Sequence, residues 1–406
     1  MHKINSYLKI CLLTIIFLLL YIKFTYIPYA IGLYFLISVL NFNYEKIKIE
    51  KYKEVWLILI FVLFNAFSLL YSENFKEGFS TIQTQLSLII FPLLIIIDRN
   101  FFYNKRELII KLFIIISLFS IFILCFQFFY SGQFIKILEN KHNANLFDLI
   151  RNLKLSNGQH PSYISINYLF SVILVWYSLK KSENKILFLI KLLAISIILV
   201  FIFLLNSRAV LISILMVIIY YTLKYLVEHK TIYKIFTVII LIGCFFLMMN
   251  NTRFKYNLLS FKKANTIEQI DPRFSIWRDA FIVWKQKPIF GQGIGDSKDA
   301  IMQIHKKRNI EEAIKYKFNA HNQFLETSMQ TGLVGLIILI LVFSVPLYQS
   351  IKKKQELLFL FLMICIINFM FESMLQRIAG VVFFAFWYSF LWFVFYKEEM
   401  KVVDSK

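Results

Sequence analysis

The chain has 406 residues, 59% of them hydrophobic and 18% aromatic, with a formal net charge of +21. Long uncharged runs of this kind belong to a polypeptide whose solvent is largely lipid, which excludes an ordinary soluble globular domain. The lysines fall mostly between the apolar runs, as the positive-inside rule requires, so the charge gives no ground for a nucleic-acid partner.

In chain order, runs suited to a membrane helix of about 20 residues begin near Tyr7, Tyr26, Val55, Ser80, Leu108, Pro161, Ile186, Ala209, Ile232, Thr331, Glu356 and Ile378. They predict an all-α polytopic membrane protein of about twelve transmembrane helices. The first run follows the basic start "MHKINSYLK" but has no A-x-A-like cleavage site and leads straight into another span, so a retained anchor is expected. The expected organisation is N-terminal transmembrane helices over 1–130, an outer loop over 131–160 and more transmembrane helices over 161–249. A long outer loop over 250–322, C-terminal transmembrane helices over 323–396 and a cytoplasmic tail over 397–406 complete it. Cys11, Cys125, Cys244 and Cys365 all lie inside apolar runs without paired spacing and read as small hydrophobes.

Alternate connections differ in charge. "EKIKIEKYKE", "DRNFFYNKRE", "KKSENK", "EHKTIYK" and "IKKKQE", with both termini, hold most of the short-loop lysine and arginine and are assigned to the cytoplasm. The other set faces outward: Ser131 to His160, the turn "LLNSRAV", the segment from Asn250 to His321, and the turn "FESMLQR". His160, Arg208, Arg273, His321, Glu372 and Arg377 are thereby placed on one membrane face by a rule that takes no account of them. No internal repeat is visible, which weakens an inverted-repeat transporter reading.

Several of these residues admit a bland and a chemical reading. Arg208, with only "NS" before it, is either an interfacial arginine touching lipid phosphates or a bidentate ligand for a phosphorylated substrate. In "IDPRFSIWRDAFIVWKQKPIFGQGIGD", Phe274, Ile276, Trp277, Phe281, Ile282 and Trp284 predict an amphipathic helix with one apolar face. That helix would lie at the outer interface, end at Pro288 and Gly291, and place Arg273 at its N-terminus, where an anion is favoured. "GQGIGD" fits neither phosphate-loop spacing and reads as a turn. His321 is either a residue at a helix start or an acid-base group. Asn319, Asn322 and Gln323 supply hydrogen bonds around it, and Gly332 and Gly335 permit close helix approach just beyond. His160 precedes Pro161 at the mouth of a span. Glu372 and Arg377 bracket one turn, and their bland reading is a mutual surface ion pair. No metal-ligand spacing is present, so neither a metal nor another cofactor is expected.

The order "NSRAVLISIL", "DPRFSIWRDAFIVWKQKPIFGQGIGD", "NAHNQFLETSMQTGLVGLIILI" and "ESMLQRIAGVVFFAF" resembles the O-antigen ligase and polymerase superfamily of bacterial envelope glycosyltransferases. "GQHPSYISI" is similar to the form seen in Bacteroidetes-type members. The resemblance covers the chain from Pro161 onward and implies a GT-C-like, metal-independent transferase in the bacterial inner membrane with its active site facing the periplasm. It implies an undecaprenyl-pyrophosphate glycan as donor and lipid A-core, or a growing glycan, as acceptor, with membrane lipids around it. By similarity Arg208 and Arg273 hold the pyrophosphate and His321 sits at the reaction centre. His160, Asn322, Glu372 and Arg377 join the candidate site on position alone. A ligase is the leading expectation, with a repeat-unit polymerase and transfer to a protein hydroxyl as alternatives. A lipid-glycan flippase or transporter is the alternative of another class; it calls for ionisable residues in the spans, where Lys191 and Lys224 come closest.

Overall fold

A computed structural model of the chain describes residues 2–40, 55–130, 160–179, 184–228 and 271–396. The regular elements among them are helical. The first group comprises α1 (His2–Ile22), α2 (Ile27–Leu40), α3 (Val55–Phe67), α4 (Phe75–Gln85), α5 (Ser87–Ile97), the short α6 (Arg99–Asn104) and α7 (Arg106–Tyr130). α8 (Pro161–Leu179), α9 (Lys185–Leu205) and α10 (Arg208–Glu228) follow. α11 (Pro272–Gln286), α12 (Ser297–Lys307) and α13 (Glu311–Tyr316) then precede α14 (Gln323–Lys352), α15 (Glu356–Phe371) and α16 (Ile378–Phe390). Helix is present at each expected span onset except the one near Ile232, which lies outside the described residues, as do Cys244 and the tail over 397–406. Among the described residues, seven helical stretches are long and apolar enough to cross a membrane, and three shorter apolar ones accompany them.

Lipid tails are as apolar as leucine, so helices in a bilayer associate through close packing and internal hydrogen bonds more than through exclusion of water. Both are present here. Trp387 of α16 is fully buried, and Phe17, Phe113 and Phe170 from α1, α7 and α8 surround it at centroid distances of 6.1, 4.9 and 4.8 Å. Hydroxyls join the same helices: Ser117 bonds Tyr21 at 2.7 Å and Ser171 at 2.6 Å, and Ser120 bonds Tyr168 at 2.8 Å. Lys191 and Lys224, the lysines weighed for the transporter reading, are both engaged, and the candidate span Ile4–Ile22 holds a further buried one, Lys9, paired with Asp98 at 2.6 Å. The ammonium of Lys191 donates to the Ser178 carbonyl at 2.8 Å, and Lys224 pairs with Glu356 at 3.2 Å.

Two features position the site. The "GQGIGD" turn docks between the two halves of the chain. Gln292 and Gly293 donate to the carbonyls of Met329 and Gln330 at 2.8 and 3.0 Å, while Asp296 accepts from the backbone N–H groups of Glu73 and Asn74 at 2.9 and 2.8 Å. The same loop interrupts α14. Leu333 donates to the Pro288 carbonyl at 2.8 Å, and Gly332 adopts φ 67°, ψ −159°, where a Cβ would collide with the Ile289 carbonyl. Only glycine tolerates that backbone and that approach. α14 therefore starts eight residues before the expected apolar onset at Thr331, with a polar first segment whose Gln323, Glu326, Thr327 and Gln330 are buried in protein.

The expected single apolar face of α11 is corrected to two. Ile276, Ala280 and Val283 pack inward with Asp279, at the i, i+3, i+4, i+7 spacing of one stripe. Phe274 and Phe281 lie exposed on the opposite stripe, next to Trp277 and Trp284 at ring distances of 5.4 and 5.5 Å. The phenylalanines of the aromatic stripe are exposed, and smaller residues make the inner contact.

Candidate functional site at one end of the bundle

All the candidate charged residues come from element ends, and the fold gathers them. His160 immediately precedes α8. Asn206, at φ 50°, ends α9 through its own N–H to the carbonyls of Ile202 and Phe203, so only Asn206 and Ser207 separate α9 from Arg208 at the head of α10. Ser207 donates to the hydroxyl of Ser162 at 3.2 Å, which ties this turn to the start of α8. Asp271 caps α11 by accepting the Arg273 N–H at 3.1 Å, and its second oxygen pairs with Arg208. One carboxylate thus both starts a helix and fixes an arginine.

His321 sits in the left-handed region at φ 45°, a conformation uncommon for a residue with a Cβ. Its N–H donates to the Asn319 side chain at 3.1 Å, its ring packs edge-on against Phe318 at 5.1 Å, and α14 begins two residues later. Asn322 is the cap of that helix, accepting from Phe324 and Leu325 N–H at 2.9 and 3.1 Å. It lines neither cavity described below; its contribution is to hold His321 in place.

Glu372 is the centre of the cluster. Burial alone would raise its pKa; the hydrogen bond from His321 and the charges of His160, His321 and Arg273 outweigh that, lowering it from 4.5 to about 2. The carboxylate meets Arg273 Nη2 at 3.1 Å, His321 Nδ1 at 3.4 Å, His160 Nδ1 at 3.7 Å and the Ser162 hydroxyl at 3.2 Å. An ionised carboxylate only accepts, so Nδ1 of His321 donates to it, and in the neutral imidazole the lone pair then lies on Nε2. The bland reading of a Glu372–Arg377 ion pair is corrected: Glu372 turns inward to Arg273, because a buried carboxylate needs close cationic partners, and Arg377 is exposed. Arg273 keeps a further donor, since its Nη1 is buried without a hydrogen-bond partner.

Two cavities flank His321 and His160. A cavity of about 250 Å³ includes Ser207, Arg208, Asp271 and Arg273 in its wall. A larger one of about 610 Å³ includes Thr81, Gln330, Glu372, Gln376 and Arg377. Both histidines line both spaces. Among the described residues, no group of three or more His, Cys, Asp and Glu is arranged to hold a metal ion.

Residues 193–340 match the family model described as O-antigen ligase. This segment belongs to the O-antigen ligase superfamily. A ComP-specific O-oligosaccharyltransferase of Acinetobacter baylyi is 29% identical to the chain over 357 residues, covering 86% of this chain and 62% of that protein. An uncharacterized protein of Haemophilus influenzae is 36% identical over 103 residues, 24% of this chain and 25% of its own length. The chain therefore matches less than two thirds of the length of either relative.

The O-antigen ligase segment contains Arg208, Arg273, His321 and Asn322; His160, Glu372 and Arg377 lie outside it and come to the same cluster through the fold. Sequence reasoning did not single out Ser162, Asp271, Gln330 or Gln376. Asp271 had a readable signal, the Asp-Pro start of a helix. The others had none, because the bonds that bring them to the site are remote in sequence: Ser162 to Glu372 at 3.2 Å and Gln376 to Gln330 at 3.3 Å. A second acidic cluster was also missed: Asp279 of α11 meets His305 of α12 at 2.7 Å and pairs with Arg308, with Asp279 and His305 fully buried.

Proposed function

We propose that the chain is a GT-C-like glycosyltransferase of the bacterial inner membrane. In this reading it moves a glycan from undecaprenyl pyrophosphate to a hydroxyl of lipid A-core, or a related saccharide, on the periplasmic side, with both termini in the cytoplasm. The observation that carries the reading is the meeting of two arginines and a carboxylate-held histidine at the boundary between two cavities.

The smaller cavity suits the diphosphate. Arg208 and Arg273 each have a carboxylate partner that fixes the guanidinium, and a guanidinium has five N–H donors, so donors remain for phosphate oxygens. As the bond from the anomeric carbon to the phosphate oxygen breaks, its electron pair goes to the diphosphate, and the fixed arginines stabilise that charge in a site with little water to screen it. Two organic cations beside the leaving group supply the role a metal ion plays elsewhere, so the transfer is proposed to be metal-independent. The acceptor hydroxyl oxygen forms the new bond to the anomeric carbon and its proton passes to His321 Nε2. Glu372 keeps Nδ1–H directed away from the acceptor, which makes it a positioning residue. The lipid tail confines the donor near the arginines and raises its effective concentration there.

A second reading, transfer to a hydroxyl of a protein, is supported by the likeness to the Acinetobacter oligosaccharyltransferase across most of the chain. Gene deletion with complementation by wild type or His321→Ala separates the readings. Glycolipids that lose all attached glycan, restored only by wild type, support the ligase. A single repeat still attached indicates polymerisation, and intact glycolipids with unglycosylated protein indicate the second reading.

A further inference from the structure

The larger cavity holds charge that the transfer chemistry above leaves unused. Its wall includes the cations Lys298, Lys317 and Arg377 and the carboxylates Glu77, Glu326 and Glu372. Most of these are already engaged. Lys298 pairs with Glu77 at 2.6 Å, and Glu372 faces Arg273 of the smaller cavity at 3.1 Å. Glu326 is buried, and its oxygens accept the Ala320 N–H at 2.9 Å and the Gln330 amide at 3.3 Å. Among the described residues, that leaves Lys317 and Arg377 without a carboxylate partner, and both are exposed. Neither borders the cavity of Arg208 and Arg273. We propose that Lys317 and Arg377 form a second anion site, on the wall of the larger cavity, which takes the carboxylate or phosphate substituent of an acidic glycan; this rests on the transferase reading above.

The backbone fixes the base of each side chain. Lys317 ends α13 in the left-handed region at φ 50°, with its N–H directed to the carbonyls of Ala313 and Ile314. Phe318 N–H returns to the same Ala313 carbonyl at 3.0 Å, which closes the turn. Glycine fills such a position most easily, so a lysine there supplies a side chain at the expense of backbone ease. Arg377 directly precedes α16. Its N–H meets the Met374 carbonyl at 3.4 Å, and its own carbonyl accepts the Val381 N–H at 3.0 Å. Both cations thus rise from hydrogen-bonded turns beside the reacting centre, Lys317 four residues before His321 and Arg377 five residues after Glu372.

The two cations suit different parts of one anion. A guanidinium fork takes two oxygens of a carboxylate or phosphate at once, and an ammonium adds a compact point charge. A concave wall of low dielectric focuses their field, so charged glycans gain where neutral ones do not. A phospholipid headgroup has the same charge. The rest of the wall, however, includes the hydroxyls of Thr81 and Thr84 and the amide of Gln376, which bond sugar hydroxyls and which acyl chains would leave without partners. That favours an anion carried on a saccharide.

The test uses full-length protein in nanodiscs of neutral lipid and two oligosaccharides that differ only in one residue, glucuronic acid or its carboxyl-reduced glucose. Titration calorimetry should show wild type binding the acidic probe about 10- to 100-fold tighter, as charge-assisted hydrogen bonds allow, and less so at high salt. Arg377→Gln and Lys317→Gln, each checked for folding by thermal melts, should each cut that preference about 3- to 10-fold. The double variant should remove it, and Arg377→Lys should retain part. Transfer assays then carry the acidic residue on the undecaprenyl-pyrophosphate donor in one arm and on the acceptor in the other. The arm whose acidic-to-neutral ratio of kcat/KM falls in the variants names the source of the anion. Charge-dependent binding without turnover supports the site and defeats the transferase reading. Turnover with equal wild-type binding of the two probes keeps that reading and overturns the proposal. A preference that survives in the folded double variant overturns it too, as do substitutions that alter phosphatidylglycerol binding but not probe binding.

Discussion

The molecule contains two clusters that each join a carboxylate to imidazole and guanidinium. One joins Glu372, His321, His160 and Arg273; the other joins Asp279, His305 and Arg308. In the first, Glu372 is buried while the side chains of His160, His321 and Arg273 are 42%, 23% and 21% exposed and border cavities. In the second, the carboxylate and the imidazole are both wholly enclosed, and the cluster lies behind the apolar contacts of α11 with α12. Residue identity is therefore a poor guide to chemistry. A carboxylate that orients an imidazole with a free, accessible nitrogen can serve a substrate; the same pair sealed in protein can only hold helices together.

That contrast is sharpest when one histidine from each cluster is replaced. His321→Ala should lower the transfer rate about 10²–10⁴-fold, the range for loss of a general acid-base group, with a smaller fall in thermal midpoint than His305→Ala. His305→Ala should do the reverse, melting earlier in detergent while each folded molecule keeps its transfer rate. Equal loss of activity in two folded variants would erase the distinction.

The arginines come next. Arg273→Ala should slow transfer about 10²–10³-fold, as removal of one preorganised donor does elsewhere. Arg273→Lys should recover little of this, because an ammonium cannot bond Glu372 and a phosphate with the geometry of a planar fork. Steady-state rates of the three proteins check this. In the sealed cluster, Asp279→Asn leaves Arg308 without its carboxylate and should cost about 3–5 kcal/mol of stability by denaturant melts, as broken buried pairs do.

These expectations were unevenly legible in the sequence. Apolar periodicity located the helix onsets in the described residues, since a span must satisfy every backbone group internally and so leaves a long uncharged run. Alternation of loop charge brought His160, Arg208, Arg273, His321, Glu372 and Arg377 to one end. The pairings were not legible. Glu372 finds Arg273 across 99 positions rather than Arg377 five positions away, a choice made by burial. The early start of α14 was hidden because its polar residues bond protein groups remote in sequence, Gln323 accepting from the Leu375 N–H at 2.7 Å and Gln330 from the Gln376 amide at 3.3 Å. α11 misled because two apolar stripes on one short helix look like a single wide one.

The smallest effect expected is a dependence of stability on pH that separates Glu372 from an ordinary surface carboxylate. Its pKa falls on folding from 4.5 to about 2, so its ionised form contributes stability that is fully present above about pH 4.5. That contribution is lost as pH falls from 4.5 towards 2. The difference in thermal midpoint between wild type and Glu372→Gln should be present at about pH 5 and shrink as pH falls from 4.5 towards 2. A difference unchanged over that acid range would contradict a Glu372 carboxylate held ionised by its partners.

The claim that the cavity around Arg208, Arg273 and His321 is where a lipid-linked glycan is cleaved from its carrier is tested most directly by following the carrier itself. Purified protein is mixed with a defined undecaprenyl-pyrophosphate oligosaccharide and a core acceptor in the presence of a chelator, and released undecaprenyl pyrophosphate is quantified in a single turnover. The account predicts release matched one-for-one by glycan transfer in wild type, and release lost in His321→Ala despite undiminished donor binding. Undiminished release from that variant, or no release from a folded wild type, would contradict it.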